Sequence, residues 1–300
     1  MIERRVVFDF AIEFSNGGGI QGQDFRLDID GPGIADEELA DAIVRDMRLL
    51  MVERVRILRK VIVIEPHKRP GGRPADAGLV DLSHPIHEGM PTYAGLPGPA
   101  ISTFMSHAAS RAGYAPGTEF HIGTIQMVGN TGTTLDAPFH RFPGAADLAR
   151  LELEVLANLD GVVVRTEVDE PGAIGPSTFA GRPLAGRALL VHSGWAVHWG
   201  TPRYLSGHPY LTEAAAEDFV ERGVVLIGID SLNVDDTTDP RRPVHSILLD
   251  AGIPIVEHLT GLERLPDDGF RFSAAPPRVA GLGTFPVRAF AVIDRPGGPQ

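Results

Sequence analysis

Apolar and polar residues alternate over residues 6–14, with Phe8, Phe10, Ile12 and Phe14 on one face, as a half-buried strand requires. A glycine-rich turn follows, and Phe25, Leu27 and Ile29 repeat the alternation in a second strand. Over residues 36–52 the spacing becomes helical: Leu39, Ile43, Met47 and Leu50 share a stripe behind an acidic first turn. A further strand is predicted over 55–64. Residues 1–65 therefore read as a small α+β module of β-β-α-β order. Residues 66–78, rich in proline, glycine and charge, read as a linker.

Beyond residue 79 the pattern changes. Apolar runs at 162–164, 188–192, 224–229, 253–256 and 289–293 are short and continuous, as strands buried on both faces are. Two helices stand between them. One spans 212–222, opened by Thr212 and closed by Gly223; the other spans 243–251, with Pro243 in its first turn and Gly252 past its end. Residues 79–300 thus form an α/β domain, without internal repeats.

Composition narrows the function. With 43% apolar residues among 300, there is ample material for a core. A net charge of −12 argues against nucleic acid or an anionic membrane as partner, so a small molecule is expected. The absence of cysteine removes disulfides, thiolate catalysis and cysteine-type zinc sites. No apolar run approaches a membrane span, and the opening residues Met-Ile-Glu-Arg-Arg lack a signal-peptide core, so a cytoplasmic location is expected.

The most informative segment is Asn130-Thr131-Gly132-Thr133-Thr134-Leu135-Asp136-Ala137-Pro138-Phe139-His140. Asn130, Thr134, Asp136 and His140 occupy even positions and would face one side of an extended chain, spread over roughly 33 Å. Gly132 and Pro138 are the residues able to curl the segment into one site. A polar turn, with Asp136 capping amides and His140 on the surface, is the plainer alternative. His245, early in the second helix, and Glu257, ending the strand after it, form a second group; a buried acid there needs a partner. A structural His–Glu hydrogen bond would satisfy that need equally.

From Val80 to Ile293 the chain resembles the cyclase family that includes bacterial kynurenine formamidase and isatin hydrolase. The resemblance rests on Val80-Asp81-Leu82-Ser83-His84-Pro85-Ile86 with Gly89-Met90-Pro91, and on the 130–140 segment, which aligns with the signature H-x-G-T-H-x-D-x-P-x-H. Leu190 to Trp195, Gly228 to Ser231 with Val234-Asp235, His245 to Glu257, and Pro286 to Ala289 follow in family order. It implies a swivelling β/β/α fold, usually a homo-oligomer (dimer or tetramer), that hydrolyses cyclic or linear amides with zinc or manganese. The family's shared carboxylate falls on Asp136, its proton-transfer histidine on His140, and one ligand pair on His245 and Glu257. Its two signature histidines fall on Asn130 and Thr134, so half of a two-metal arrangement lacks its imidazoles.

Three readings follow. In the leading one, Asp136, His245 and Glu257 hold one divalent ion, His140 acts as general acid/base, and Asn130, Thr134, Tyr93 and Trp195 contact the substrate of a C–N hydrolase. In the second no cofactor is needed, and Asp136 and His140 serve a cyclase or dehydratase. In the third the pocket only binds a ligand. Lesser features have plainer expectations. Residues 15–22 lack phosphate-loop spacing and read as a hairpin loop. Trp195, His198, Trp199 and Tyr204 either wall a pocket or pack, and His192 reads as core. Glu119 and His121 read as one face of a strand, from which His121 could replace a missing imidazole if that strand borders the pocket. Asp230, Asp235 and Asp236 read as turn caps.

Overall fold

Phe8, Phe10 and Ile12 are buried against Leu39 and Ile43, so the alternating strand and the helical stripe meet as their patterns require. The computed structural model describes residues 2–29, 33–47, 49, 51–66, 78–91, 93, 95–166 and 172–293. The chain divides into two units, Met1–Asp76 and Ala77–Gln300. In the first, strands β1 (Ile2–Phe14), β2 (Gly19–Ile29) and β3 (Val52–Pro66) form an antiparallel sheet of order β2-β1-β3, and helix α1 spans Asp36–Asp46.

Two boundaries differ from expectation. Helix α1 stops six residues before residue 52, and β3 starts at Val52 rather than 55 because its backbone pairs with β1 along nearly its whole length. That ladder outweighs the helical spacing of Met47 and its neighbours. Residues 15–18 are the hairpin connection, with Gly17 and Gly18 at φ of 85° and 95° closing the turn, and residues 19–22 already belong to β2. The predicted linker falls largely on residues 67–77, outside the described residues.

The second unit contains β4 (Gly78–Asp81), β5 (Ala100–Met105), helix α2 (His107–Ser110), β6 (Ile122–Gln126), β7 (Thr134–Asp136), β8 (Leu159–Arg165) and β9 (Ala173–Ile174). It continues with β10 (Ala188–His192), β11 (Tyr210–Leu211), α3 (Glu213–Glu221), β12 (Leu226–Ile229), α4 (Pro243–Asp250), β13 (Ile255–Glu257), β14 (Phe270–Ser273), β15 (Thr284–Pro286) and β16 (Phe290–Ile293). Among the described residues, nine strands make one mixed sheet in the order β15-β7-β13-β12-β10-β8-β14-β16-β4. Its centre, β13-β12-β10-β8, is parallel, and the strands outside it pair antiparallel. The continuous apolar runs occupy that centre because both faces are covered. Val163, Leu190 and Val256 pack into one core, while Val162, Val164, Leu189, Ile227 and Ile255 pack into another with Phe219, Val244 and Leu248 of α3 and α4.

Both helices obey their sequence signals: Thr212 Oγ1 accepts from the Ala215 amide, and Pro243 opens α4. No helix among the described residues is long and apolar enough to cross a membrane. Among the described residues, β5 and β6 pair only with each other, as an exposed ribbon.

Candidate active site

Strand β7 lies between β13 and β15, and this register builds the site. Asp136 stands opposite Ile255 and Thr284, and Thr134 stands opposite Glu257 and Pro286. Because side chains alternate, Thr134, Asp136, Glu257 and Thr284 share the sheet face that packs against α4. The chain reaches β7 through Gly132, at φ 68°, and leaves through a 3₁₀ turn, Pro138–His140, that swings His140 over the strand end. That turn needs Gly283 beneath it: a Cβ there would lie 2.4 Å from the His140 nitrogen.

The two distant groups converge. His245 Nε2 lies 3.4 Å from Asp136 Oδ2 and 3.6 Å from Glu257 Oε1, and all three residues are buried. The other imidazole nitrogen is committed, since His245 Nδ1–H donates to Asp235 Oδ2 at 2.7 Å. Asp235 also accepts from the backbone amides of Val244 (2.7 Å) and His245 (3.1 Å), capping α4. One carboxylate therefore orients the ring and anchors the helix that carries it. Glu257 Oε1 accepts from the Val234 amide at 2.8 Å. Asp136 Oδ1 accepts from Thr284 Oγ1 at 2.5 Å, while Asp136 Oδ2 is buried without a well-formed hydrogen bond.

Thr284 fixes a proton direction. Its single hydroxyl proton goes to Asp136, so at its 2.6 Å contact with His140 the ring's Nδ1–H is the donor. His140 Nε2 is then the free basic nitrogen, on an exposed side chain. Electrostatics follow the packing. Burial raises the Asp136 carboxyl, but hydrogen bonding to His245, with the His140 and His245 charges, outweighs it and holds the group below its ordinary range. Glu257 is pushed up to about 8 by burial and by negative Asp136, against the pull of His245. Burial would lower His245, but Asp136, Asp235 and Glu257 raise it to about 10.

Asp136, His140 and His245 offer ligand atoms within 4.8 Å of one another, a group able to hold a metal ion. Glu257 extends it through His245. Two carboxylates, an oriented imidazole and one buried carboxylate oxygen lacking a good donor are a set that a divalent cation fits. His140, His245 and Glu257 border a cavity of about 280 Å³, which Tyr93, Asn130, Asn233 and His258 also line.

A family model described as a cyclase matches residues 80–236. The chain belongs to the cyclase family. Kynurenine formamidase from Geobacillus thermodenitrificans is 29% identical over 212 residues, covering 70% of this chain and 95% of that protein. The Bacillus cereus kynurenine formamidase is 27% identical over the same length and coverage. Among solved structures, isatin hydrolase A from Labrenzia aggregata bound to benzyl benzoate superposes with a TM-score of 0.63 at 21% identity, over 72% of this chain and 94% of that one. The mixed α/β sheet is accordingly the cyclase fold.

Not every expected residue of this cyclase reaches the cavity. Asn130 and Tyr93 do, whereas Thr134 shares Asp136's sheet face but is buried and does not border the open space. Trp195 is 4% exposed and packs with Tyr204 and Leu232, its indole N–H donating to the Tyr204 carbonyl at 3.1 Å. It is a core residue, not a substrate contact. Trp199 stacks on His84 at 3.9 Å, and His198 packs against Trp195 at 4.7 Å. His121 precedes β6, bonds Thr103 and lies beside His107 on the exposed ribbon, and Glu119 pairs with Arg111; neither replaces a missing imidazole. His192 ends β10 and lies 3.8 Å from Asp230, which accepts from the Ser193 and Gly194 amides. Asp236 caps Thr238.

Three residues of the site carried no local signal, and Asp235 carried only that of a turn cap. Thr284 arrives by strand pairing, and Asp235 does cap a turn, but the turn it caps begins α4. Asn233 lines the cavity and lies 3.5 Å from Glu257. His258 presents its ring to the cavity with Tyr204 Oη 2.9 Å from Nδ1, and burial, with His84 nearby, holds its pKa down to about 3.

Proposed function

We propose that this cyclase hydrolyses a C–N bond in a small amide, formamide or lactam, using one divalent cation held by Asp136, His245 and Glu257. The observation that carries this reading is the orientation of His245. Asp235 takes its Nδ1 proton, so Nε2 is the ring atom that faces the two carboxylates, and a cation that displaces its proton would meet three ligand atoms there. The relatives' names, kynurenine formamidase and isatin hydrolase, describe amide and lactam opening and support the same reaction.

A ligand set of one imidazole and two carboxylates suits manganese as well as zinc. When bound, the cation supplies Lewis acidity for the amide carbonyl and for the attacking water. The chain's own groups do the rest. His140 Nε2 takes the water's proton and returns it to the departing nitrogen, while Thr284 keeps Nδ1 as the donor side. The Asn130 and Asn233 amides orient the substrate carbonyl, and Tyr93 and Leu96 pack on its apolar part. Asn130 and Thr134, both uncharged, make this a one-cation site.

Assembly as a homo-oligomer is supported by the β5–β6 ribbon, which exposes Phe104 at 77%, together with Ile101, Phe120, Ile122 and Ile125. The reaction is tested by elemental analysis of purified protein and by hydrolysis of formanilide before and after chelation. One equivalent of metal and an activity that chelation abolishes and manganese or zinc restores is the expected result. Activity that survives chelation would favour instead a metal-free cyclase working through Asp136 and His140. That second reading draws on the site's capacity to share a proton between His245 and Glu257.

A further inference from the structure

Two arginines, Arg141 and Arg242, border the same cavity as His140, His245 and Glu257. The side-chain hydrogen bonds of each arginine go to neutral groups, although acids outnumber Lys and Arg by 39 to 27 in this chain. Arg141 Nε donates to Ser246 Oγ at 3.0 Å, and Arg242 donates to the Asp236 carbonyl at 2.7 Å and to Tyr93 Oη at 3.2 Å. The nearby acids are engaged elsewhere, Glu257 by the Val234 amide, Asp136 by Thr284 and Asp239 by Arg241, although the Arg242 charge also helps to lower the Asp239 carboxyl.

The Arg141 guanidinium is also tied to the backbone of Arg242. Ser246 Oγ, which accepts from Arg141, donates to the Arg242 carbonyl at 2.8 Å. One serine on α4 thus links an arginine from the turn after β7 to the arginine that precedes α4. Arg242 adopts φ 49° and ψ 60°, a left-handed conformation that a side chain with a Cβ disfavours. A solvated rim cation requires neither the strain nor the link. Strain of this kind persists where the surroundings enforce it, and it is common at ligand clamps.

We propose that the substrate carries a carboxylate, bound by Arg141 and Arg242, beside the amide that is cleaved. This rests on the amide-hydrolase reading and narrows it to anionic amides. The guanidinium plane matches a carboxylate and not a neutral amide, and burial of part of Arg242 strengthens the pairing. A cavity of about 280 Å³ admits a small aromatic or aliphatic acid.

The test is calorimetric titration of the full, manganese-loaded protein with benzoate and with benzamide. Wild-type protein is expected to bind benzoate at least about tenfold more tightly, and Arg141→Gln to remove about tenfold of that preference. Arg141 is exposed, so this variant leaves the fold intact, and Arg242→Lys, which keeps the charge but loses the fork, should fall between the two. Equal affinities, or no benzoate binding, would overturn the proposal. So would a preference undiminished in Arg141→Gln, which is what the cation alone would give. Turnover of 2-formamidobenzoate and formanilide is measured alongside. If neither is hydrolysed while the charge preference and its loss stand, the hydrolase reading fails and the anion site does not.

Discussion

Replacing Asp235 by asparagine changes one atom in a buried junction and leaves its shape. Asp235 Oδ1 can still accept from the Val244 amide at 2.7 Å, so the cap on α4 survives. At the other position an NH₂ now faces the His245 amide and ring Nδ1, which lie 3.1 and 2.7 Å from the present oxygen. Two donors cannot share that contact, so the neutral ring that would bind a cation is driven to carry its proton on Nε2. That proton points at Asp136 and Glu257, where a metal ligand needs a lone pair. Loss of an orienting carboxylate typically weakens metal binding about 10- to 100-fold, or roughly 1.4–2.7 kcal/mol. Competition of the protein with a chromogenic chelator for manganese or zinc measures this directly. The chelated variant should melt within about 2–4 °C of chelated wild type, since one hydrogen bond worth about 1 kcal/mol is disturbed in a unit of this size. If Asp235→Asn binds metal as tightly as wild type while Asp136→Asn does not bind, Asp235 is only a helix cap and the orientation argument is wrong.

Thr284→Val removes the hydroxyl between Asp136 and His140 at nearly constant volume. Metal content should be unchanged and kcat should fall by about 10- to 100-fold, and an unaltered kcat would show that the tautomer of His140 is set elsewhere. His84 provides a test in pH. Burial lowers its pKa to about 4, its Nε2 has no partner, and its ring stacks on Trp199. The fold therefore favours the neutral ring. Between pH 6.5 and 4 the unfolded chain binds more protons than the folded one, so this contribution is complete above about pH 6.5 and is lost as pH falls towards 4. Discounted for partial exposure, it amounts to about 1–2 kcal/mol. His84→Phe keeps the stacking and should flatten the urea-denaturation profile across that range; parallel profiles for the two proteins would refute the account.

The parallel centre of the sheet was legible because strands buried on both faces must be apolar throughout, and residues 162–164, 188–191 and 253–256 are. His245 and Glu257 could be brought together on the same logic, a short helix running out and a buried strand returning. What the sequence withheld depends on pairings between distant segments. Nothing around Thr284 marks it as part of a site; it becomes one through β15 pairing with β7, 148 residues from Asp136. Trp195 and Tyr204 lie in an aromatic-rich stretch that would wall a pocket as readily as it would pack. The choice was made by the Tyr204 carbonyl, which gives the buried indole N–H its acceptor.

Asp235 shows why such residues escape a linear reading. A carboxylate after a strand is expected to cap a turn, and it does, accepting from two amides at the start of α4. Its chemical role arises only because His245 is the third residue of that helix, so a single carboxylate meets both the helix end and the ring nitrogen. The same economy bears on Asn130 and Thr134. Thr134 lies opposite Glu257, on the sheet face that holds Asp136. An imidazole there would enter the same cluster, while a threonine leaves His245 as the one nitrogen facing both acids. The proposed ligand set draws on no side chain at 130 or 134: α4 carries the imidazole, β7 and β13 carry the carboxylates, and Asp235 holds the ring in place.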